Sequence, residues 1–404
     1  DIFVERPDEA KDARPAATCR ADVGADGRLF AIIGGGAAAE AAAEALRQEC
    51  FRGDIVIISA EDRWPYDRPM LSKDYVAGTV PAKYLPLRPP EFYAEHDIRR
   101  RHAEVTSLDV RSRTITLRDG STLTPDAVLI ASGGSARTLE VPGADLPGVF
   151  TLRSWGDADA LVDAAQSARR AVVIGTSFIG MEVAAGLAGR ELEVTVVGRD
   201  AVPFERTLGE PVGTIIRRYH EEHGTRFVMG RTVTRFDGEG EVASVVLDDG
   251  TTLHADLVVV GVGMIPATAF VEGVETAADG GLMVDDRLRV APGVWAAGDV
   301  AQFVETHSGR RVRIEHWRLA EQHGRAAARA MAGDPQPFTS VPYFWTQQFG
   351  REIYYAGVGQ GWDEIVVTGD LPAWDFTVFY ARENRLLAAC GTRGKEIGAF
   401  MELM

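Results

Sequence analysis

Residues 29–36 read LFAIIGGG, an apolar run that ends in three consecutive glycines. The alanine-rich stretch AAAEAAAEALRQE follows at 37–49, and a second apolar run, DIVIISAE, occupies 54–61. A strand, a glycine turn, a helix and a second strand in this order predict a βαβ unit with parallel strands. Such a turn suits nucleotide phosphates, because the helix N-terminus presents unpaired N–H groups and a partial positive charge.

The same order of elements returns later in the chain. RAVVIGTSFIG at 170–180 leads into the helical MEVAAGLAGRE at 181–191 and the apolar LEVTVVGRD at 192–200. Here the glycine pattern is incomplete, since Gly175 and Gly180 are present but Ser177 stands at the middle position. Serine is small and keeps its N–H, so we expect the loop to work. Two similar halves predict two bound nucleotides.

These patterns predict an α/β fold with two Rossmann-like domains and a small C-terminal α+β domain. Residues 28–144 and 268–336 are assigned to the first nucleotide domain, and 145–267 to the second. From 337 to 404, aromatic and β-branched residues alternate, which predicts antiparallel strands. Residues 1–27 are interpreted as the tail of an upstream domain, with DIFVE as its last strand, followed by a linker.

Composition excludes several classes of function. The formal net charge of −16 disfavours nucleic acid or an anionic membrane as the main partner. Only Cys19, Cys50 and Cys390 occur, far apart, so neither a disulfide framework, a metal site nor a redox dithiol is expected. No stretch is typical of a membrane span or a secretory signal. We therefore expect a cytoplasmic protein.

Several residues outside the glycine loops are candidates for binding. Glu61 stands where an acidic side chain accepts from an adenosine ribose. WPYDRPMLSKDY at 64–75 is a rigid loop that offers Arg68 and Lys73 to a pyrophosphate or a flavin, although a surface loop would have the same composition. Asp299 follows Gly298 in GVWAAGDVAQF at 293–303, where a carboxylate could bind a ribityl chain or simply form a turn.

These stretches together resemble a known family. AIIGGGAAAEAAAEALR, PYDRPMLSK, GTSFIGMEVAA, GVWAAGDVA, EHWRLAEQHGRAAA and VPYFWTQQFG occur in this order between 31 and 350. They are similar to the FAD-dependent pyridine nucleotide oxidoreductases of the ferredoxin and rubredoxin reductase branch. The likeness is greatest to apoptosis-inducing-factor-like flavoproteins that carry an N-terminal Rieske domain, and it covers roughly residues 28–404. It implies a glutathione-reductase-type arrangement of the FAD and NAD(P) domains.

The resemblance also implies roles for individual residues. Lys73, Glu182 and Trp317 would be the catalytic residues, with Lys73 and Glu182 paired close to the flavin. The FAD-binding residues would be Gly34, Gly36, Ala39, Glu61, Arg68, Lys73, Gly298, Asp299, Trp317 and Trp345. Those of the nicotinamide dinucleotide would be Gly175, Ser177, Ile179, Gly180, Glu182, Arg199 and Gly263. Considered without the family, each tryptophan would more often be a core residue and the Lys–Glu pair a surface ion pair.

The function implied is an NAD(P)H-dependent reductase. FAD would take a hydride from NADH or NADPH and pass single electrons to a [2Fe–2S] ferredoxin or a Rieske domain. The resemblance implies that such a Rieske domain would be fused upstream. The disulfide-reducing relatives carry a cysteine pair that this chain lacks. The alternative is a redox-sensing flavoprotein, like apoptosis-inducing factor, that acts mainly through partner binding. Gly198 and Arg199 replace the usual carboxylate of NADH users and permit NADPH; homodimerisation stays open.

Overall fold

The computed structural model describes residues 26–403. The strand predicted at 1–5, nearly all of the predicted linker and Cys19 lie outside the described residues.

The strands of residues 26–403 are numbered in chain order. They are β1 (Leu29–Ile33), β2 (Asp54–Ser59), β3 (Ile98–His102), β4 (Val105–Asp109), β5 (Thr114–Leu117), β6 (Thr122–Leu123), β7 (Ala127–Ile130), β8 (Gly134–Ala136), β9 (Val149–Phe150), β10 (Arg170–Ile174), β11 (Glu193–Gly198), β12 (Arg226–Met229), β13 (Val233–Asp237), β14 (Ser244–Leu247), β15 (Thr252–His254), β16 (Leu257–Val260), β17 (Met264–Pro266), β18 (Val271–Glu272), β19 (Leu282–Met283), β20 (Arg289–Ala291), β21 (Val294–Ala296), β22 (Ala301–Val304), β23 (Arg311–Arg313), β24 (Tyr343–Gln348), β25 (Arg351–Gly357), β26 (Glu364–Asp370), β27 (Asp375–Arg382) and β28 (Arg385–Gly391).

The α-helices of the same residues are α1 (Ala37–Gln48), α2 (Pro90–Glu95), α3 (Trp155–Ala165), α4 (Phe178–Gly189), α5 (Glu205–Glu222), α6 (Trp317–Ala332) and α7 (Gly394–Leu403). Leu71–Tyr75 forms a short π-helix, and Ala82–Tyr84 and Gly298–Val300 form 3-10 turns. None of the helices within 26–403 is both long enough and apolar enough to cross a bilayer.

The chain divides into two compact units, and the first contains residues 26–67, 83–134 and 265–342. Its main sheet has the order β20-β21-β7-β1-β2-β3. β1 pairs in parallel with both β2 and β7, so the carboxyl ends of these strands lie at one edge of the sheet. Strand β7 is buried throughout and β1 nearly so, as expected for strands covered on both faces. The βαβ unit predicted from LFAIIGGG is confirmed.

Helices α1 and α6 of this unit approach each other closely. An added Cβ on Gly324 of α6 would lie 2.3 Å from the carbonyl oxygen of Ala38 on α1. The contact therefore needs a glycine on α6. The buried alanines of α1 have small side chains, which lets the two helices approach closely. The four-stranded sheet β18-β4-β5-β6 and the three-stranded sheet β19-β22-β23 complete the unit.

The second unit contains residues 68–82, 135–264 and 343–403. Its parallel sheet has the order β12-β11-β10-β16-β9, and β10 pairs with β11 and β16 as β1 does with its own neighbours. The strands β13-β14-β15 form an antiparallel sheet beside it. The C-terminal residues form the antiparallel sheet β24-β25-β28-β27-β26, against which α7 packs through the buried Ile397. The predicted fold class is confirmed; the four-part division stays a prediction.

The C-terminal sheet of this unit also supports helix α5. That helix is interrupted at Gly209, whose φ is +78°, just before Pro211. Such a kink leaves carbonyl groups without their helical partners. The carbonyl oxygen of Leu208 accepts a hydrogen bond from Tyr380 Oη on β27 at 2.9 Å. The broken helix is thus held in place by a buried tyrosine.

Candidate functional site

The first glycine turn joins β1 to α1 and depends on Gly34. This residue has a φ of +121°, and its N–H donates to the carbonyl oxygen of Ile58 at 2.8 Å. An added Cβ would lie 2.1 Å from the carbonyl oxygen of Ala131. Both the backbone conformation and the space therefore exclude any side chain at this position.

The start of α1 is open to an anion. Gly36 is the N-cap residue, and no side chain caps the helix there. Because the first N–H groups of a helix have no acceptor within it, these donors are available to a phosphate. Ala39 is fully buried beneath the turn, and an added Cβ on Gly298 would lie 3.4 Å from Cβ of Ala38. The structure thus brings together Gly34, Gly36, Ala39 and Gly298.

Two predicted carboxylates follow strands of the same sheet. Glu61 comes after β2, and its Oε2 accepts from Tyr66 Oη at 2.5 Å. Asp299 lies in the turn directly after β21, where the N–H of Gly298 donates to Nδ1 of the buried His323 at 3.3 Å. Both carboxylate residues are partly exposed. Tyr66 thus holds the Glu61 carboxylate, His323 holds the backbone next to Asp299, and both acidic residues are accessible to a ligand.

The second glycine turn, between β10 and α4, repeats the geometry of the first. Gly175 has a φ of +112°, and its N–H donates to the carbonyl oxygen of Val197 at 2.9 Å. An added Cβ would lie 2.1 Å from the carbonyl oxygen of Gly261, and one on Gly180 would lie 2.2 Å from that of Gly175. Both glycines of the incomplete pattern are thus required by backbone contacts.

Ser177 occupies the place of the missing glycine without distorting the turn. It is the N-cap of α4 with φ −104° and ψ −166°, against −99° and −165° for Gly36 at the start of α1. Any residue adopts this extended conformation. The serine side chain makes no capping hydrogen bond, so the N–H groups of α4 stay as open as those of α1. Ile179 in the first turn of the helix is 38% exposed.

The end of β11 lies beside this turn. An added Cβ on Gly198 would lie 2.5 Å from Cγ2 of Thr176, so a side chain there would have to displace Thr176. The next residue, Arg199, is exposed, and its side chain makes no hydrogen bond or ion pair within the part of the chain that the structure describes. Gly263 has a φ of +109°, and its carbonyl oxygen accepts from the N–H of Arg137.

Lys73 and Glu182 form a buried ion pair rather than a surface one. Nζ of Lys73 lies 2.9 Å from Oε1 of Glu182, and the two side chains are only 10% and 2% exposed. Ser72 Oγ donates to Oε2 of the same carboxylate at 2.6 Å. Nζ also lies 5.9 Å from the ring centroid of Trp345. Lys73 belongs to the π-helix Leu71–Tyr75, a rare conformation that is frequent at functional sites.

The two remaining predicted residues lie at separate places. Arg68 donates from Nη1 to the carbonyl oxygen of Arg153 at 2.8 Å. Trp317 is the first residue of α6, a helix that no side chain caps at its N-terminus. Lys73, Glu182 and Trp345 are therefore brought together within the second unit, while Trp317 belongs to the first.

Comparison with known proteins identifies the family of the chain. The family model of pyridine nucleotide-disulphide oxidoreductases matches residues 29–324, and the model named Reductase C-terminal matches 343–401. The chain belongs to the pyridine nucleotide-disulphide oxidoreductase family. Members of this family and the ferredoxin reductases use FAD and NAD(P)H.

Individual members of the family are similar over most of the chain. Apoptosis-inducing factor 3 of Homo sapiens is 38% identical over 363 residues, which are 88% of this chain and 59% of the relative. The chain thus spans 59% of the length of that relative. The 5,5'-dehydrodivanillate O-demethylase ferredoxin reductase subunit of Sphingobium sp. is 34% identical over 90% of both chains. The solved structure of the covalent putidaredoxin reductase–putidaredoxin complex matches with a TM-score of 0.89 and 31% identity, covering 94% of this chain and 93% of the other.

Some polar residues of the site were not predicted as site residues. The Glu182 carboxylate is contacted by Ser72 and Thr346, and Thr346 leads to Gln348 and His220. Ser72, Thr346 and Gln348 lie within PYDRPMLSK and VPYFWTQQFG, two of the stretches that carry the family resemblance, but no pattern in the sequence predicts a role for them. The same is true of His323, which lies within EHWRLAEQHGRAAA and supports the turn that carries Asp299. His220 lies in none of these stretches.

Glu40 of α1 gives this family member a pH-dependent stability. Burial, reinforced by the neighbouring Glu44, raises its pKa from 4.5 to about 7, although Arg88 lowers it. The folded protein therefore holds a proton that the unfolded chain releases above pH 4.5. The resulting stabilisation is complete below that pH and is lost as the pH rises through 7.

We expect Glu40→Gln to remove this dependence. The free energy of unfolding of the wild type should fall by about 2 kcal/mol more than that of the variant between pH 5 and pH 8. Urea denaturation at a series of pH values measures the difference. Parallel curves for the two proteins would contradict the prediction.

Proposed function

We propose that the chain is an NAD(P)H-dependent FAD reductase that delivers single electrons to a [2Fe–2S] ferredoxin or a Rieske-type acceptor. The observation that carries this proposal is the pair of glycine turns with matching geometry at Gly34 and Gly175. Two such turns call for two dinucleotides. The similarity to ferredoxin reductases supports the choice of acceptor.

The residues present fit both dinucleotides. The uncapped N-termini of α1 and α4 offer N–H donors to pyrophosphates. Glu61 and Asp299 supply carboxylate oxygens for ribose and ribityl hydroxyls, and Arg68 supplies a cation. Bound FAD would accept a hydride as two electrons and release the electrons singly. The cysteines Cys19, Cys50 and Cys390 are far apart in the sequence, so the proposed electron transfer uses no redox dithiol.

The Lys73–Glu182 pair supplies a fixed ammonium group next to Trp345. A buried charge of this kind interacts more strongly with a ligand than a solvated one does. Its role in this proposal is to hold and orient the redox partners, with Trp345 of the same unit as a planar contact; Trp317, which belongs to the first unit, stays a predicted flavin contact. A fused upstream Rieske domain, a homodimer and a cytoplasmic location remain parts of the proposal.

The proposal is tested by purifying the protein and mixing it with NAD(P)H and an acceptor. We expect a yellow protein with a flavin spectrum that bleaches on addition of NAD(P)H and regains its colour when an oxidised [2Fe–2S] ferredoxin is added. Colourless protein that FAD cannot reconstitute, or reduced flavin that no iron–sulfur acceptor reoxidises, would contradict it.

A second candidate is a redox sensor that acts through partner binding, favoured by the similarity to apoptosis-inducing factor 3. Slow turnover with long-lived complexes of reduced flavin and oxidised nicotinamide would identify it. Rapid reoxidation by a ferredoxin identifies the reductase instead.

Arg199 leads us to expect a preference for NADPH. Its exposed guanidinium has no partner among the described residues and follows Gly198, where a carboxylate side chain would have to displace Thr176. An arginine–phosphate contact contributes about 1.5–3 kcal/mol, so Arg199→Ala should lower kcat/KM for NADPH about tenfold and leave that for NADH nearly unchanged. Steady-state kinetics with both coenzymes measure this, with Arg218→Ala on the exposed face of α5 as the control. A clear preference of the wild type for NADH would contradict the expectation.

A further inference from the structure

A chain of buried polar side chains runs through the second unit and ends on Glu182. Thr346 Oγ1 lies 2.7 Å from Oε1 of Glu182, and Gln348 Nε2 lies 3.0 Å from Thr346 Oγ1. Gln348 Oε1 in turn lies 3.0 Å from Nε2 of His220. Thr346, Gln348 and His220 are all fully buried. Buried polar side chains are costly unless they are hydrogen-bonded, and each of these three has a partner within the chain.

The direction of every hydrogen bond in the chain follows from chemistry. A carboxylate only accepts, so the Thr346 hydroxyl must donate to Glu182. With its single hydrogen used, Thr346 accepts from the Gln348 amide, which places the Gln348 oxygen toward the histidine. His220 must then carry its hydrogen on Nε2. All donors therefore point toward Glu182, and their dipoles stabilise its negative charge.

The far end of the chain is held neutral by its surroundings. Nδ1 of His220 is buried and has no hydrogen-bond partner among residues 26–403, while the rings of Phe227 and Phe349 lie edge-on to the imidazole. Burial lowers the pKa of His220 to about 4, although the hydrogen bond with Gln348 raises it; His223 lowers it further. In these surroundings the imidazole is neutral, with its hydrogen on Nε2 as the directed chain requires and a lone pair on the Nδ1 that has no partner among residues 26–403.

The strand that carries the chain also carries Trp345. Residues of β24 alternate, with Thr346 and Gln348 on its buried face and Trp345 on the opposite, partly exposed face. The same short strand therefore fixes the carboxylate partner of Lys73 on one side and an aromatic ring near Nζ on the other. Any shift of β24 would move both together.

We propose that Thr346, Gln348 and His220 are positioning residues that fix the Glu182 carboxylate and, through it, the ammonium group of Lys73. This inference rests on the proposed function, since it assigns the pair a place in the flavin site. Thr346 is the essential member because it alone of the three contacts Glu182.

Two variants of Thr346 separate positioning from packing. Thr346→Val has the same shape without the hydroxyl, whereas Thr346→Ser keeps the hydroxyl. We expect Val to lower the rate constant of flavin reduction by NAD(P)H about tenfold in stopped-flow measurements, the equivalent of one lost hydrogen bond to a charged group. Ser should stay within about threefold, and FAD content should be unchanged in both. Equal rates for Val and wild type, or equal losses for Val and Ser, would overturn the proposal.

A second measurement does not depend on the flavin. Nitrogen NMR of histidine-labelled protein at pH 7 reports which ring nitrogen of His220 carries hydrogen. We expect the neutral Nε2–H form; a neutral Nδ1–H form, which cannot donate from Nε2 to Gln348, would overturn the directed chain even in an active enzyme. If the Val variant does not fold, His220→Phe, which retains an aromatic ring at this position, serves instead, and an unchanged reduction rate in it would count against the proposal. Wild-type protein that NAD(P)H does not reduce, but that shows the Nε2–H signal, would refute the proposed function alone.

Discussion

We expect Gly34→Ala to purify with little or no FAD, while Gly175→Ala keeps its FAD and loses affinity for NAD(P)H. In both variants the new Cβ would lie 2.1 Å from a carbonyl oxygen, and the φ values of +121° and +112° are unfavourable for alanine. Strain of this kind costs about 2 kcal/mol or more, which is about 30-fold in affinity. Because the two substitutions are chemically identical, any difference between their effects on FAD and on NAD(P)H comes from the site that each one changes.

FAD content from the absorbance spectrum and KM for NAD(P)H measure the two effects. Gly189→Ala is the matched control, because an added Cβ there meets nothing within 4 Å. Loss of FAD in both loop variants would indicate general misfolding. Retention of FAD in Gly34→Ala would contradict the assignment of the first turn.

The glycine turns could be predicted because their requirements are local. A strand, a turn and a helix that are consecutive in the chain determine the φ of Gly34 and the openness of α1. It could also be predicted that the turn accepts serine at position 177, because the extended conformation of an N-cap residue does not require glycine. The sequence does not reveal which carbonyl oxygen excludes a Cβ from each turn. These oxygens belong to Ala131 and Gly261, which follow strands far along the chain from Gly34 and Gly175.

The burial of the Lys73–Glu182 pair could not be predicted in the same way. From spacing alone, a lysine and a glutamate 109 positions apart are most often surface charges. Their burial depends on β24, which is more than 150 residues further along the chain and supplies Thr346 at 2.7 Å. The resemblance to a family predicted the Lys73–Glu182 pair. Only the tertiary structure shows that Ser72 and Thr346 contact its carboxylate.

The second prediction with a large effect concerns the removal of Glu182. Glu182→Leu would leave the Lys73 ammonium group without its partner at a site where the side chain is 10% exposed. The hydroxyl groups of Ser72 and Thr346 would also lose their acceptor. Breaking a buried ion pair on one side costs about 3–5 kcal/mol, whereas an exposed pair contributes less than about 1 kcal/mol.

The double variant Lys73→Met/Glu182→Leu distinguishes charge from packing. It removes both charges and should recover more than half of the stability that Glu182→Leu loses, because no uncompensated ion remains. Urea denaturation of the FAD-saturated proteins measures the cycle, with Glu222→Ala of the exposed Arg218–Glu222 pair as control. If the double variant is as unstable as Glu182→Leu, the lost stability comes from the cavity and from the hydroxyl groups of Ser72 and Thr346 that have lost their acceptor. A loss below about 1 kcal/mol in Glu182→Leu would contradict a buried pair altogether.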